Sequence, residues 1–153
     1  SRAQDQFRRG RKYKAPDHQP FFLNACPADV DGDGMNDVLY ACDYAGVVLF
    51  MNDGKGGFVN ETTKRLPTPI NYATYQVSAG DVDGDGDPDL IAGNDHNRPN
   101  KLLLNDGTGK FADVSASNFP PNKGWTTAQA LLDADGDGDL DIFFHDQGRW
   151  PSS

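Results

Sequence analysis

The sequence predicts an all-β fold: a β-propeller segment of about two and a half to three four-stranded antiparallel blades. Three observations predict it. The stretches "DVDGDGMND", "DVDGDGDPD" and "DADGDGDLD" begin at Asp29, Asp81 and Asp133, a repeat of 52 residues. The apolar runs between them are short and bounded by Gly, Asn, Asp or Pro, which is a strand signature and too short for helices. The chain is also turn-rich, with 17 Gly and 10 Pro in 153 residues.

Each element follows from its own residues. A mixed segment such as Tyr75–Ala79 precedes the acids. An apolar run follows them: "VLYA" (38–41), "LIAG" (90–93) and "IFF" (142–144). A second run comes next, "GVVLFMN" (46–52) or "KLLLN" (101–105). Then "DGKGG" or "DGTGK" turns tightly into a fourth segment starting at Phe58 or Phe111. "LFMNDGKGGFVNET" (49–62) aligns with "LLLNDGTGKFADVS" (102–115) one residue out of step, which places a one-residue insertion in "GNDHNRPNK". Four strands in succession make an antiparallel meander. Such a sheet cannot bury both faces alone, so copies must stack. The expected boundaries are a basic N-terminal extension or linker at 1–20, blades at 21–73 and 74–125, and an incomplete third blade at 126–153 that lacks its last two strands. Closed propellers use roughly four to eight blades, so the ring is expected to be completed by further sequence or by other chains.

Charge separates two zones. Residues 1–20 carry Arg2, Arg8, Arg9, Arg11, Lys12 and Lys14 against Asp5 and Asp17, while the chain as a whole has a net charge of −9. The basic tail reads as a solvated linker or as a nucleic-acid contact; elsewhere the basic surface that phosphate binding requires is missing. No apolar run is long enough for a membrane-spanning helix, and no apolar run of a signal peptide is found at the N-terminus. Of 23 acidic residues only Glu61 is a glutamate. So lopsided a preference for the shorter carboxylate points to geometry rather than solubility.

Numbering the acidic stretch from one to nine, carboxylates fill positions one, three, five and nine: Asp29, Asp31, Asp33 and Asp37; Asp81, Asp83, Asp85 and Asp89; Asp133, Asp135, Asp137 and Asp141. Glycines fill positions four and six, where a curled loop needs positive φ. Without an ion these carboxylates repel one another. A hard divalent cation reverses the sign, and calcium takes six to eight oxygens in flexible geometry. Position seven (Met35, Asp87, Asp139) varies in kind and is assigned its backbone carbonyl. Magnesium demands stricter octahedral geometry, and zinc lacks a His or Cys in any loop. An EF-hand would need Glu at position twelve, where Tyr40, Ala92 and Phe144 stand. The expectation is three Ca²⁺ sites, each stapling the first two strands of a blade, with dissociation constants on the order of 10⁻⁴–10⁻³ M.

"DVDGDGMNDVLYA", "DVDGDGDPDLIAG" and "DADGDGDLDIFFH" resemble the calcium loops of the FG-GAP and VCBS repeat families, and "NKLLLNDGTGKFADVS" resembles the later part of such a repeat. The resemblance covers roughly residues 21–146. The FG and GAP tripeptides are not clear, which favours the VCBS-like branch. The resemblance implies integrin-α-type propeller blades. It also implies one calcium held per loop by the side chains of positions one, three, five and nine and the carbonyl of seven, on the face opposite the usual ligand surface.

Three classes of function are compatible with this resemblance: an extracellular adhesive or structural scaffold for protein partners, a glycan-binding lectin-like propeller, and a non-catalytic part of a polysaccharide-acting enzyme. The chain itself is expected not to be an enzyme, since no nucleophile stands at a recognisable spacing from His18, His96 or His145 and no phosphate-binding loop or zinc motif occurs. Trp125, Trp150, Phe143 and Phe144 read as blade packing or as sugar-stacking surfaces. Cys26 and Cys42 flank the first loop and read as a disulfide or as two buried thiols. "NET" at Asn60 is an N-glycosylation sequon or a chance triplet. Calcium loops, disulfide and glycan would all place the chain outside the cell.

Overall fold

The structure, a computed structural model, describes residues 22–43, 45–67, 73–95, 98–119 and 125–147. The basic residues of 1–20, and with them His18, lie outside the described residues, as do His96 and Trp150. The first unit runs β1 (Phe22–Ala28), β2 (Asp37–Cys42), β3 (Gly46–Asn52), β4 (Phe58–Asn60) and a single helical turn, α1 (Thr62–Arg65). The second repeats it as β5 (Thr74–Gly80), β6 (Asp89–Asn94), β7 (Lys101–Asn105), β8 (Phe111–Asp113) and α2 (Ser115–Asn118). The third holds β9 (Trp125–Leu132) and β10 (Asp141–Gln147). Among the described residues the fold is therefore all-β: two four-stranded sheets in the orders β1-β2-β3-β4 and β5-β6-β7-β8 and a two-stranded one, every pairing antiparallel.

The one-residue insertion is visible in the register. Val38 pairs with Phe50, whereas Leu90, 52 residues on from Val38, pairs with Leu103, 53 residues on from Phe50. The two helical turns carry no sequence signal because one turn is too short for helical periodicity. Each is fixed by a hydroxyl instead. Thr62 Oγ1 accepts the Leu49 N–H at 2.9 Å, and Ser115 Oγ accepts the Leu102 N–H at 2.9 Å.

Alternation along the strands sends one face of each sheet to its neighbour. Leu39, Ala41, Val47, Leu49 and Met51 of the first sheet pack with Val77, Leu90, Ala92, Leu103 and Phe111 of the second. Burying each large side chain stabilises by about 1.5–3 kcal/mol. The first strands β1, β5 and β9 lie side by side, joined by a recurring amide link. The Val77 N–H donates to Asn24 Oδ1 at 3.1 Å, and the Gln129 N–H donates to Gln76 Oε1 at 3.0 Å. Gln76 Nε2 returns a bond to the Gln129 carbonyl at 2.9 Å.

The disulfide reading is corrected. Cys26 and Cys42 are free. Register places Cys26 opposite Leu39 and Cys42 opposite Phe22. The two cysteines are thus about 10 Å out of step along the strands, beyond the Cα separation a bridge allows. They also face opposite sides of the sheet: Cys26 packs on the core shared with the second sheet, and Cys42 on Val48 and Phe50. Burial pushes the Cys42 thiol up to about 12 and raises that of Cys26, so both stay protonated and inert.

Candidate metal centres

Each acidic stretch is the connection between the first two strands of its unit, β1–β2, β5–β6 and β9–β10. The glycines let it curl. Gly34 (φ +85°), Gly86 (φ +96°) and Gly138 (φ +97°) occupy the left-handed region, with open space where a Cβ would stand. The curl aims backbone N–H groups at the aspartates. Position one takes two of them: Asp29 accepts from Asp33 and Gly34 at 3.1 and 2.8 Å, Asp81 from Gly84 and Gly86 at 2.8 and 2.9 Å, and Asp133 from Gly136 and Gly138 at 2.7 and 3.1 Å. Position five accepts the N–H of position seven in all three loops, Met35 to Asp33, Asp87 to Asp85 and Asp139 to Asp137. These turns bring the carboxylates of each loop close together.

Carboxylate oxygens of Asp29, Asp31 and Asp33 lie within 4.8 Å of one another. The same holds for Asp81, Asp83 and Asp85, and for Asp133, Asp135 and Asp141. At that spacing each like-charge pair costs roughly 1 kcal/mol in bulk water and about 3–4 kcal/mol near a protein surface. In the first loop Asp31 Oδ1 is buried and has no hydrogen-bond partner. A buried carboxylate oxygen without a donor, beside two more carboxylates, is what a hard cation would satisfy. The all-oxygen donor set fits calcium and excludes the soft-metal sites that need sulfur or imidazole.

Position nine does something else in the first two loops. Asp37 is buried; its Oδ2 accepts the Val30 N–H at 3.1 Å and its Oδ1 the Asn52 N–H at 2.8 Å. Asp89 repeats this with Val82 at 3.0 Å and Asn105 at 2.8 Å. Burial raises both carboxyls from the ordinary aspartate value; the two N–H bonds oppose the rise, and the neighbouring loop aspartates add to it. In the third loop Asp141 accepts the Ala134 N–H at 3.0 Å and joins the carboxylate cluster itself. In the first two loops the side chain of position seven lies against the turn between the third and fourth strands of its unit. A Cβ on Gly54 would lie 3.3 Å from Met35 Cε, and one on Gly107 would lie 2.6 Å from Asp87 Oδ2.

Sequence reasoning missed several residues of this region. Asn52 and Asn105 link the third strand to the loop, and Asn105 Nδ2 also donates to the Val30 carbonyl of the preceding unit at 2.8 Å. The recurring "ND" before each glycine turn carries that signal. Arg65 was missed as well: it pairs with Glu61 at 2.7 Å and lies 3.5 Å from Asp31. The sequon residues have structural employment. Asn60 Oδ1 accepts the Thr62 N–H at 3.1 Å, and Asp113 Oδ1 accepts the Ser115 N–H at 3.0 Å at the matching place.

Fold and loops together define an all-β repeat chain whose units each carry an aspartate-rich turn between their first two strands. The family model described as an FG-GAP-like repeat matches residues 29–92 and 81–144. The chain belongs to the FG-GAP-like repeat family. No curated protein matches it significantly. Among solved structures, it is similar to a lectin of Agrocybe aegerita described as specifically recognising non-reducing terminal N-acetylglucosamine. That likeness is 25% identical, covers 79% of this chain and 32% of the other, and has a TM-score of 0.49. The chain thus spans about a third of that structure's length.

Proposed function

We propose that this chain is a calcium-stabilised segment of a β-propeller, acting outside the cell as a non-catalytic scaffold that presents its surface to protein partners or to further blades. The observation that carries the reading is the convergence of three carboxylates within 4.8 Å in each of three loops, one with a buried oxygen lacking a donor. Asp29, Asp31 and Asp33, then Asp81, Asp83 and Asp85, then Asp133, Asp135 and Asp141 are the carboxylates that would hold the ions. Asp37 and Asp89 would fix the loop to the sheet. Bound calcium supplies the positive charge that turns mutual repulsion into a cross-link, and because the site needs the folded loop, its binding energy becomes folding energy.

Thermal melting with and without calcium tests this. At about 10 mM calcium, each site with a dissociation constant of about 10⁻³–10⁻⁴ M adds roughly 1.4–2.7 kcal/mol. The expected result is a rise in Tm that magnesium at the same concentration reproduces poorly. An unchanged Tm refutes the reading.

A glycan-binding reading is favoured by one feature. Tyr75 on β5 and Trp125 on β9 meet edge to face at 6.3 Å, and Trp125 keeps 36% of its surface exposed. Binding on a glycan array, lost in Trp125→Ala, would establish that reading over the protein-scaffold one.

A further inference from the structure

We propose that Arg65 is a positioning residue for the first loop's ion, so that this loop's affinity depends on the junction with the second sheet; the inference rests on the calcium reading above. Arg65 ends α1, and three groups surround its guanidinium. Nε donates to Glu61 Oε2 at 2.7 Å. Nη1 donates to the carbonyl of Thr108, in the β7–β8 turn of the second sheet. Nη2 stands 3.5 Å from Asp31 Oδ2. The planar fork of an arginine can serve three such directions at once, which an ammonium cannot.

Arg65 faces Oδ2, and the other oxygen of the same Asp31 carboxylate, Oδ1, is the buried one without a donor. The anchor for this orientation lies in the next unit. The β7–β8 turn rests on the guanidinium through Gly109, where a Cβ would come within 2.6 Å of Nη1 and 3.3 Å of the Val30 carbonyl. Asn105, the last residue of β7, holds that carbonyl. The second unit has no counterpart, because Asn118 stands where the repeat aligns with Arg65 and its Nδ2 turns back to the Val114 carbonyl at 3.3 Å. The two complete units therefore carry unlike loops.

The sign of the effect separates positioning from plain charge. A cation beside a calcium loop repels the ion, so removing it would tighten binding. Glu61 offsets only part of that charge, because it pairs with Lys64 as well as Arg65 at 2.7 Å; charge and orientation thus act in opposite directions, and positioning requires orientation to be the larger. Loss of Arg65 must then weaken the first loop alone.

Hydrogen exchange of the full chain, followed across a calcium titration, reads each loop separately. In the wild type, residues 29–37 and 81–89 both gain protection. In Arg65→Gln, the calcium midpoint for 29–37 rises fivefold or more, the lower range of measured site couplings, while that for 81–89 stays in place. Arg65→Lys weakens 29–37 in the same direction and serves if the glutamine variant does not fold. A midpoint for 29–37 that is unchanged or lower in both variants overturns the proposal, as does protection of 81–89 alone in the wild type. Absence of any response in either loop overturns the calcium reading itself, and the proposal with it.

Discussion

The carboxylate of Asp37 grips the backbone N–H of Asn52 at 2.8 Å across fifteen positions of chain, and Asp89 grips Asn105 in the same way in the second unit. Through this bond the acidic loop is tied to the third strand by protein groups alone. Position nine is thus bonded to backbone N–H groups in both complete units, whereas the carboxylates of positions one, three and five lie close to one another.

Substitutions at the two kinds of position have opposite consequences without calcium. Asp89→Ala leaves two backbone N–H groups without acceptors and costs about 2–4 kcal/mol in calcium and in chelator alike. Asp85→Asn removes one like charge from an exposed cluster. It raises Tm slightly in chelator and lowers it in calcium. Chemical denaturation of both variants in both buffers checks the pattern.

Acid narrows the calcium effect. The folded-state pKa values of Asp37 and Asp89 lie above their unfolded values, chiefly through burial. A raised acid pKa means that the ion-free folded state binds more protons than the unfolded chain. Its contribution is most favourable below the unfolded value, near 4, and is lost as pH rises through the folded value. Lowering the pH therefore relieves the ion-free protein, while protons compete with the ion in the calcium-bound one. Melting in calcium and in calcium-free buffer at about pH 7.5 and about pH 4.5 should show a smaller difference in Tm at the lower pH.

A β-carbon at a loop glycine is costly even where space is free. Gly86 has φ +96° and open space around its missing side chain. Gly86→Ala therefore costs about 1–2 kcal/mol of backbone strain, plus weaker calcium binding in the second loop. Equilibrium denaturation in chelator isolates the backbone part.

The amide link between first strands can be cut singly. Gln76 accepts the Gln129 N–H and donates to the Gln129 carbonyl. Gln76→Leu fills the same space, leaves both groups unpaired, and costs about 1–3 kcal/mol. A urea midpoint shift with an unchanged m-value identifies the loss as one of stability alone.

Much of this architecture was legible because the repeat states it three times. Strand starts at Phe58 and Phe111, the inserted residue before Lys101, and the loops at Asp29, Asp81 and Asp133 follow from aligning the chain with itself. The Cys26–Cys42 disulfide failed because proximity in sequence around a hairpin says nothing of register. Three residues of slip separate the thiols and invert their faces. The split among the acids was also invisible, since Asp37 and Asp33 look alike until burial and the strand end at Asn52 distinguish them. Arg65 gave no signal because its partners Asp31 and Thr108 stand far off in sequence and in different units.

Calorimetric titration of the metal-free chain with calcium tests the central claim most directly. The account predicts saturable binding that approaches three ions per chain, one for each aspartate cluster, with one fewer in Asp81→Ala/Asp83→Ala. Absence of saturable binding at millimolar calcium, or a stoichiometry that the double substitution leaves unchanged, would contradict it.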